Sequence, residues 1–274
     1  MATLLLGALG VVFSGWIETL PGELVSPESA RDRVRFGPDF SVSTDTMLLD
    51  DEGTSMVTRG DYRPSREVLR FMSRPGAAAT EEFGDVIRSN GGVKVQDVTL
   101  RITLTGHRNQ GINILDIRPH IVKREAPWSG TYFRSPSEAG SPTMSMMFDM
   151  DRPFPVAREV EFNGGESPVP GKPFFSQRTI TLRDNEQQVV LVRVTTARYY
   201  VAFKLDVTYM LGHEEKKTVI DDDGKPFQVS APLDMRGTKV PYRRFFERRS
   251  DFSLCQLKPV APAVDGRRCR NAYE

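Results

Sequence analysis

The sequence contains few of the residues that most often build metal and redox sites. Its 274 residues include two cysteines, three histidines and two tryptophans. The two cysteines are too few for a small disulfide-rich scaffold, and thirteen residues separate them, so no C-x-x-C redox motif is present. His107, His120 and His213 have no second histidine, cysteine or carboxylate at the spacing of a metal centre.

Sequence strings that identify many enzymes are also missing. No GxSxG, HExxH, Walker or GxGxxG string occurs, so the sequence predicts no catalytic residue and no cofactor. Charge of one sign is not in excess, because 37 basic side chains stand against 36 acidic ones. A chain that is basic throughout is therefore excluded.

What is present is an ordinary globular composition, 39% hydrophobic and 27% charged. The length allows one large domain or two small ones. A disordered chain, a collagen-like chain and a multi-span membrane protein are excluded.

The N-terminus carries the one long apolar stretch. Ala2–Ile17 has no charged residue and is apolar on every helical face, which predicts a signal anchor or signal peptide over residues 1–21. As a helix these residues span roughly 24 Å, short of the roughly 30 Å of a hydrocarbon core. The alternative is a helix or strand docked in the protein core. No basic residue precedes the stretch, so its topology stays open.

Residues 22–92 contain many prolines and predict a linker, edge strands and short helices. Helical spacing covers Arg63–Met72, with Pro64 in the first turn. A second short helix is predicted at Ala78–Arg88, where Asn90-Gly91-Gly92 follows and ends it.

From residue 93 to 234 the apolar pattern has a period of two and predicts the core of a β-sandwich. The alternation is clearest in Val98–Leu104 and Tyr199–Tyr209. A phase shift after Ile114 predicts a bulge. Further strands are predicted at Met144–Met150, Phe175–Leu182, Gln187–Thr195, Lys216–Ile220 and Pro226–Ser230. The predicted fold is mainly β: an antiparallel two-sheet, Ig-like sandwich with one or two short helices before it and an N-terminal apolar helix.

Several short strings within residues 78–230 resemble those of a known group of proteins. They are Leu104-Thr105-Gly106, Ala126-Pro127, Ser129-Gly130-Thr131, Phe148-Asp149-Met150-Asp151, Phe174-Phe175-Ser176 and Asp223-Gly224-Lys225-Pro226-Phe227. In these strings the chain resembles uncharacterised single-anchor membrane proteins of high-GC Gram-positive bacteria. The resemblance implies an extracytoplasmic β-sandwich domain and transfers no catalytic motif. The chain differs in having no basic segment before the apolar stretch.

The C-terminal tail, residues 235–274, is basic, with ten basic residues against four acidic ones from Arg236 onward. Its centre interleaves arginines with aromatic residues, which suits an anionic lipid or wall polymer, with nucleic acid least favoured. The candidate anion-binding or partner-binding residues are Arg243, Arg244, Phe245, Phe246, Arg248 and Arg249. The alternative is that both phenylalanines pack on the sandwich and the arginines balance its acidic face.

Two pairs of residues complete the candidate sites. Cys255 and Cys269 predict a disulfide if the domain is exported. Asp149 and Asp151 point to the same side of a strand and predict a weak calcium site, with hydrated carboxylates as the alternative.

The leading hypothesis is a non-catalytic binding or structural module of the cell envelope. We expect a single-pass membrane protein with its β domain outside, or as second choice a secreted protein. Its partner is expected to be an envelope protein or an anionic wall or lipid surface, contacted through sheet edges or loops. The alternatives are an enzyme with a site in the loops around residues 128–143, and a cytoplasmic protein whose basic tail binds nucleic acid. The sequence predicts no oligomeric state.

Overall fold

A computed structural model describes residues 36–47, 55–74, 76–77, 80–135, 145–162, 168–235, 240–248, 254–257 and 269–271. The predicted anchor over residues 1–21 lies outside these ranges. Within them, no helix has both the length and the apolar character that crossing a membrane requires.

The described residues form two helices and a series of strands. The helices are α1 (Arg66–Met72) and α2 (Glu81–Ser89). The strands are β1 (Phe40–Met47), β2 (Met56–Thr58), β3 (Gly92–Val95), β4 (Asp97–Gly106), β5 (Ile112–Glu125), β6 (Thr131–Arg134), β7 (Ser145–Asp149), β8 (Arg158–Glu161), β9 (Val169–Pro173), β10 (Ile180–Leu182), β11 (Gln187–Thr195), β12 (Tyr200–Leu211), β13 (Glu214–Ile220), β14 (Phe227–Ser230), β15 (Arg244–Arg248), β16 (Leu254–Leu257) and β17 (Cys269–Asn271).

Two sheets pack face to face in a sandwich-like core. The first has the strand order β1-β4-β11-β7-β8-β9. The second has the order β10-β5-β12-β14-β3-β2-β6-β15-β16-β17, with β13 paired to β12. Alternate residues of β4 and β12 point into the core, and Leu100, Leu104, Phe203 and Leu205 are fully buried. The period-two pattern therefore identified the central strands correctly.

The prediction of purely antiparallel sheets is wrong. Among the described strands, three pairs are parallel: β7 with β11, β3 with β14, and β6 with β15. Parallel neighbours need long crossover connections, and these pairs join segments that are distant in the sequence. Residue periodicity reports which face of a strand is buried but not the direction of its neighbour.

The predicted bulge in β5 is present. Thr208 pairs with Asp116 and Tyr209 with Ile114, so Leu115 is the extra residue. Pro119 lies opposite Leu205 of β12, and on its other side β5 pairs with β10 only as far as Ile114. The missing N–H of Pro119 can therefore face an open edge, as expected for proline in a strand.

The second sheet continues beyond the sandwich into an extension, which consists of β3, β2, β6, β15, β16 and β17. Both predicted helices are present and cover one face of it, with Met72, Phe83 and Ile87 buried against Phe133 and Phe246. Residues 22–92, predicted as a linker with edge strands and helices, supply β1 to the first sheet and β2 to the second. Residues 235–274, predicted as a tail, supply β15, β16 and β17 to the second sheet.

Candidate functional site

One long side of the sandwich is open. Among the described residues, β1 pairs only with β4, and β13 pairs only with β12. Between these two strands lie adjoining cavities of about 530 and 410 Å³, which share Val42 in their walls. We call this feature the edge groove. Its walls are formed mainly by residues 37–44 and 216–223, with Arg108 and Tyr209 at one end.

The edge groove exposes side chains that belong to the inner faces of both sheets. Val42 lies opposite Leu104, which is fully buried, yet Val42 itself is 36% exposed. On the other wall, Thr218 lies opposite the buried Val207. Directly opposite residues of antiparallel strands point to the same face. In the described part of the chain, inward-facing side chains at this edge of both sheets are therefore partly exposed.

Backbone groups of β1 also face the edge groove. The backbone N–H of His107 donates to the carbonyl oxygen of Asp39 at 2.8 Å, and Phe40 lies opposite Gly106. Antiparallel strands alternate between hydrogen-bonded and non-hydrogen-bonded pairs. Val42 and Thr44 are therefore in non-hydrogen-bonded pairs with β4. Their N–H and C=O groups point away from β4, toward the groove.

A buried charged cluster closes one end of the groove. Asp39 accepts hydrogen bonds from Arg108 Nε at 2.7 Å, the Tyr209 hydroxyl at 2.8 Å and Lys216 Nζ at 3.1 Å. Arg108 also donates to the Gly37 carbonyl oxygen at 2.6 Å. Only 9% of Asp39 and 6% of Arg108 is exposed. The cluster thus ties β1 of the first sheet to β12 and β13 of the second.

These contacts set the protonation states in the cluster. Burial by itself raises the pKa of Asp39, but the hydrogen bonds from Arg108, Tyr209 and Lys216 outweigh it and lower that pKa below its ordinary value. Burial, together with the neighbouring Asp39 carboxylate, raises the pKa of Tyr209. The carboxylate is therefore ionised and the phenol neutral across the physiological range.

The other end of the groove is acidic. Asp221 accepts hydrogen bonds from Lys204 Nζ at 2.6 Å and from the Gly224 N–H at 2.8 Å. The hydrogen bond from Lys204 lowers the pKa of Asp221. The Thr44 hydroxyl of β1 donates to the Asp221 carbonyl oxygen at 3.3 Å. Asp223 lines the same end and is exposed.

The structure buries part of the site that the sequence predicts in the tail. Phe245 and Phe246 are each only 2% exposed, and they belong to the cores on opposite faces of the extension. Arg244 holds Asp61 through contacts of 2.6 and 3.4 Å. Arg243 is exposed and Arg248 half-buried, while Arg249 lies outside the described residues. Anion binding by the arginines stays a prediction, but the two aromatic side chains are core residues.

The two predicted calcium ligands bind protein donors. Asp151 accepts from the Thr196 hydroxyl at 3.0 Å and the Ala197 N–H at 2.8 Å. Asp149 accepts from the backbone N–H of Asp151 at 3.0 Å and from Arg152 Nε at 3.1 Å. In the part of the chain that is described, no group of three or more potential ligand side chains accompanies them. The calcium site stays a prediction.

The predicted cysteine pair lies on adjacent strands. β16 and β17 are antiparallel, with Cys255 opposite Asn271 and Leu257 opposite Cys269. The two cysteines are thus offset by two positions in this register. Cys255 is buried, with 2% of its surface exposed.

The remaining candidates have structural contacts. The Trp128 ring stacks on Tyr200 with centroids 4.3 Å apart, and its Nε1 donates to Glu125 at 3.1 Å. The rest of the loop proposed for an enzyme site is described only as far as residue 135. His107 contacts Ser41 at 2.9 Å, and His120 contacts Asp206 at 3.5 Å.

No family model matches the chain, and no curated protein matches it either.

Sequence reasoning missed the edge groove because its residues are far apart in the sequence. One signal was available. Lys216 occupies an inward-facing position of β13, two and four positions before Thr218 and Ile220 on the same face. A charged residue at a core position of a strand needs a buried partner.

Proposed function

We propose that the protein is a non-catalytic binding module of the cell envelope, either membrane-anchored or secreted. In this proposal an Ig-like sandwich receives an extended segment of a partner protein in the edge groove. The observation that carries it is the eight-residue strand β1, whose alternate backbone groups face the edge groove. Such an edge can accept a further strand.

The residues of β1 support this assignment. Proteins usually place proline, lysine or an inward-pointing charge on an unpaired edge strand, which disfavours pairing with another strand. The sequence of β1 contains neither proline nor lysine, and its inward-facing residues include Phe40 and Val42. Across the groove, β13 contains Lys216 and Lys217, and lysines on an edge strand disfavour pairing with another strand. We therefore place the added strand on β1.

A pair of substitutions at Val42 tests the proposal. We would select binders from a random nonapeptide display library with the purified full chain, and then measure their affinity by fluorescence anisotropy. Val42→Pro removes an N–H that faces the groove without removing a hydrogen bond to β4. We expect at least about a tenfold loss of affinity, from one lost hydrogen bond and the steric bulk of the ring.

Val42→Thr is the matched control, because it keeps the N–H and the shape of the side chain, and it should bind within about twofold of the wild type. Thermal unfolding of both variants verifies that they are folded. The proposal is wrong if folded Val42→Pro binds the selected peptides as well as the wild type does, or if no peptide is selected.

The envelope location rests on the cysteine pair. We propose a Cys255–Cys269 disulfide, supported by the position of the two cysteines on adjacent strands and by the absence of a free thiol among the described cysteines. A loop of this length contributes about 3 kcal/mol in the chain-entropy model. Thiol labelling of intact cells before and after reduction tests the disulfide. Protease added outside the cells tests the location of the domain. Two free thiols in a protease-protected domain would contradict export.

A further inference from the structure

The turn between β7 and β8 carries a phenylalanine that projects into solvent. Phe154 is 88% exposed, with Pro153 exposed before it and Pro155 buried after it. Proline fixes its own φ angle and restricts the residue before it, so the backbone around Phe154 has little freedom. A single exposed apolar side chain is ordinary on a protein surface. Exposure alone therefore does not make Phe154 a binding residue.

Two arginines from other segments hold the backbone of this turn. Arg124, near the end of β5, donates to the carbonyl oxygens of Met150 at 2.8 Å and Arg152 at 3.3 Å. Arg198, shortly before β12, donates to the carbonyl oxygen of Asp151 at 2.8 Å. The turn is thus ordered before any partner arrives, which lowers the entropic cost of binding through its tip.

These two arginines gather around one tyrosine. The guanidinium carbons of Arg124 and Arg198 lie 5.2 and 5.5 Å from the centre of the Tyr199 ring. Within the described part of the chain, the contacts of Arg124 are this ring and two carbonyl oxygens, and they include no carboxylate. Each of the two arginines forms its hydrogen bonds through one terminal nitrogen. A guanidinium has five N–H donors, so both retain donors for a further acceptor.

The charges around the turn are layered, with cations outside and carboxylates inside. The side chains of Arg152 and Arg198 are 63% and 62% exposed, whereas those of Asp149 and Asp151 are 30% and 15% exposed. Arg124 adds a third exposed cation. We call the outer group the arginine tip, and it consists of Phe154, Arg124, Arg152 and Arg198. A surface that approaches the arginine tip therefore meets positive charge around an apolar ring.

We infer that the arginine tip docks on the surface of an anionic phospholipid bilayer. The arginines lie at the level of the lipid phosphates, whose oxygens a guanidinium recognises well. The Phe154 ring lies below them, at the boundary between headgroups and acyl chains. A soluble anionic polymer would bind the arginines but would give the exposed ring no apolar environment. The inference goes beyond the proposed function and does not depend on the edge groove, with which the arginine tip shares no residue.

The position of the arginine tip is compatible with a membrane-anchored chain. The turn follows β7, which ends beside the start of β4, whereas β1 starts beside the end of β4. The ten residues of β4 span roughly 30 Å. Residues 22–35, between the predicted anchor and the first described residue, reach at most roughly 50 Å when fully extended. Their length therefore allows the arginine tip to contact the membrane that holds the anchor.

The fluorescence of a tryptophan introduced in place of Phe154 tests the inference. We would reconstitute the full chain carrying Phe154→Trp with vesicles of phosphatidylcholine, with or without phosphatidylglycerol, and with brominated acyl chains that quench nearby tryptophan. Subtracting the wild-type spectrum removes the emission of Trp16 and Trp128. We expect a blue shift and at least about twofold stronger quenching in the vesicles with phosphatidylglycerol, and the difference should shrink as sodium chloride is added.

Phe162→Trp is the matched control. Phe162 is 52% exposed and follows β8, at the end of that strand away from the turn. Its substituted tryptophan should be quenched equally with and without phosphatidylglycerol. An increase at position 162 as large as that at position 154 would overturn the inference, because the lipid contact would then not be specific to the arginine tip.

Two double variants in the Phe154→Trp background separate charge from the structure of the turn. Arg152→Gln/Arg198→Gln should reduce the quenching with phosphatidylglycerol to the level in pure phosphatidylcholine. Arg152→Lys/Arg198→Lys changes the same contacts but keeps both charges, and it should retain most of the quenching. Thermal unfolding verifies that both variants are folded. Equal losses in the two folded variants would overturn recognition of anionic lipid, since the arginines would then act only by holding the turn.

Two further results would contradict docking on a bilayer. The first is an unshifted and unquenched tryptophan at position 154 in every vesicle. The second is a shift on adding soluble polyphosphate without quenching by brominated lipid, which would make a soluble phosphate polymer the partner. Val42→Pro should leave the quenching unchanged. Failure of this inference therefore leaves the proposed function standing, and failure of peptide binding in the edge groove leaves this inference standing.

Discussion

The two long sides of the sandwich are closed by different kinds of interaction. On one side the chain leaves β9, turns through Phe174–Ser176 and enters β10, so it crosses from the first sheet to the second. Phe174 is 1% exposed there and packs against Phe175. On the other side, the Asp39 cluster ties β1 to β12 and β13. A buried aromatic residue closes the first side, whereas the second leaves a groove.

The comparison shows how a sandwich can keep one edge open without coming apart. A buried phenylalanine contributes about 1.5–3 kcal/mol by leaving water. A buried ion pair contributes little net free energy, because desolvation offsets the attraction, but breaking it is costly. The Asp39 cluster therefore holds β1 in position against the second sheet. No further strand across the groove is needed for that.

Phe174→Ala should have the largest effect, because it leaves a cavity on the closed side. We expect the free energy of unfolding to fall by about 3–5 kcal/mol, measured by urea denaturation. Val42→Ala on the open side is the matched control and should cost less than about 1 kcal/mol, since Val42 is already 36% exposed. Equal losses would show that the two sides do not differ in burial.

Arg108→Met should have the next largest effect. It removes the closest donor to Asp39 and leaves a buried carboxylate with only Tyr209 and Lys216, which should cost about 2–4 kcal/mol. Asp39→Asn in the same background should restore part of the loss, since the uncompensated charge is then gone. A double-mutant cycle by urea denaturation measures the coupling. A coupling near zero would mean that the cluster does not act as a unit.

The same comparison explains what the sequence could predict. The central strands β4, β11 and β12 each bury one face against the other sheet, so period two in Val98–Leu104 and Tyr199–Tyr209 locates them. Both short helices were found because spacing and end signals are local. The extension was missed because its strands have three to five residues, too few to show a period, and their partners are distant in the chain.

The site was harder to predict than the fold. The tail was considered for its arginines and aromatics, yet Phe245 and Phe246 are consecutive residues of a strand and point to opposite cores. Composition does not distinguish an exposed aromatic residue from one buried on the other face of a sheet. The Asp39 cluster joins residues 39, 108, 209 and 216, and only the folded chain brings them together.

Acid should weaken the open side through Asp39. The folded pKa of Asp39 is lower than its unfolded value, so its contribution is complete above the unfolded pKa, about 3.9. It is lost as the pH falls through the folded pKa. We expect the stability difference between wild type and Asp39→Asn to shrink between pH 5 and the lowest pH at which the protein is folded. An unchanged difference would contradict the lowered pKa.

The smallest effect should come from the outer face of β1. Arg101 and Asp45 form a pair at 3.4 Å across β4 and β1, with side chains 49% and 53% exposed. Water and salt screen such a pair, so Arg101→Ala should change the free energy of unfolding by about 0–0.5 kcal/mol. The variant also leaves the groove unchanged, and it should bind selected peptides as the wild type does. A loss of binding would mean that the outer face of β1 contacts the partner too, and that the added strand is not confined to the groove.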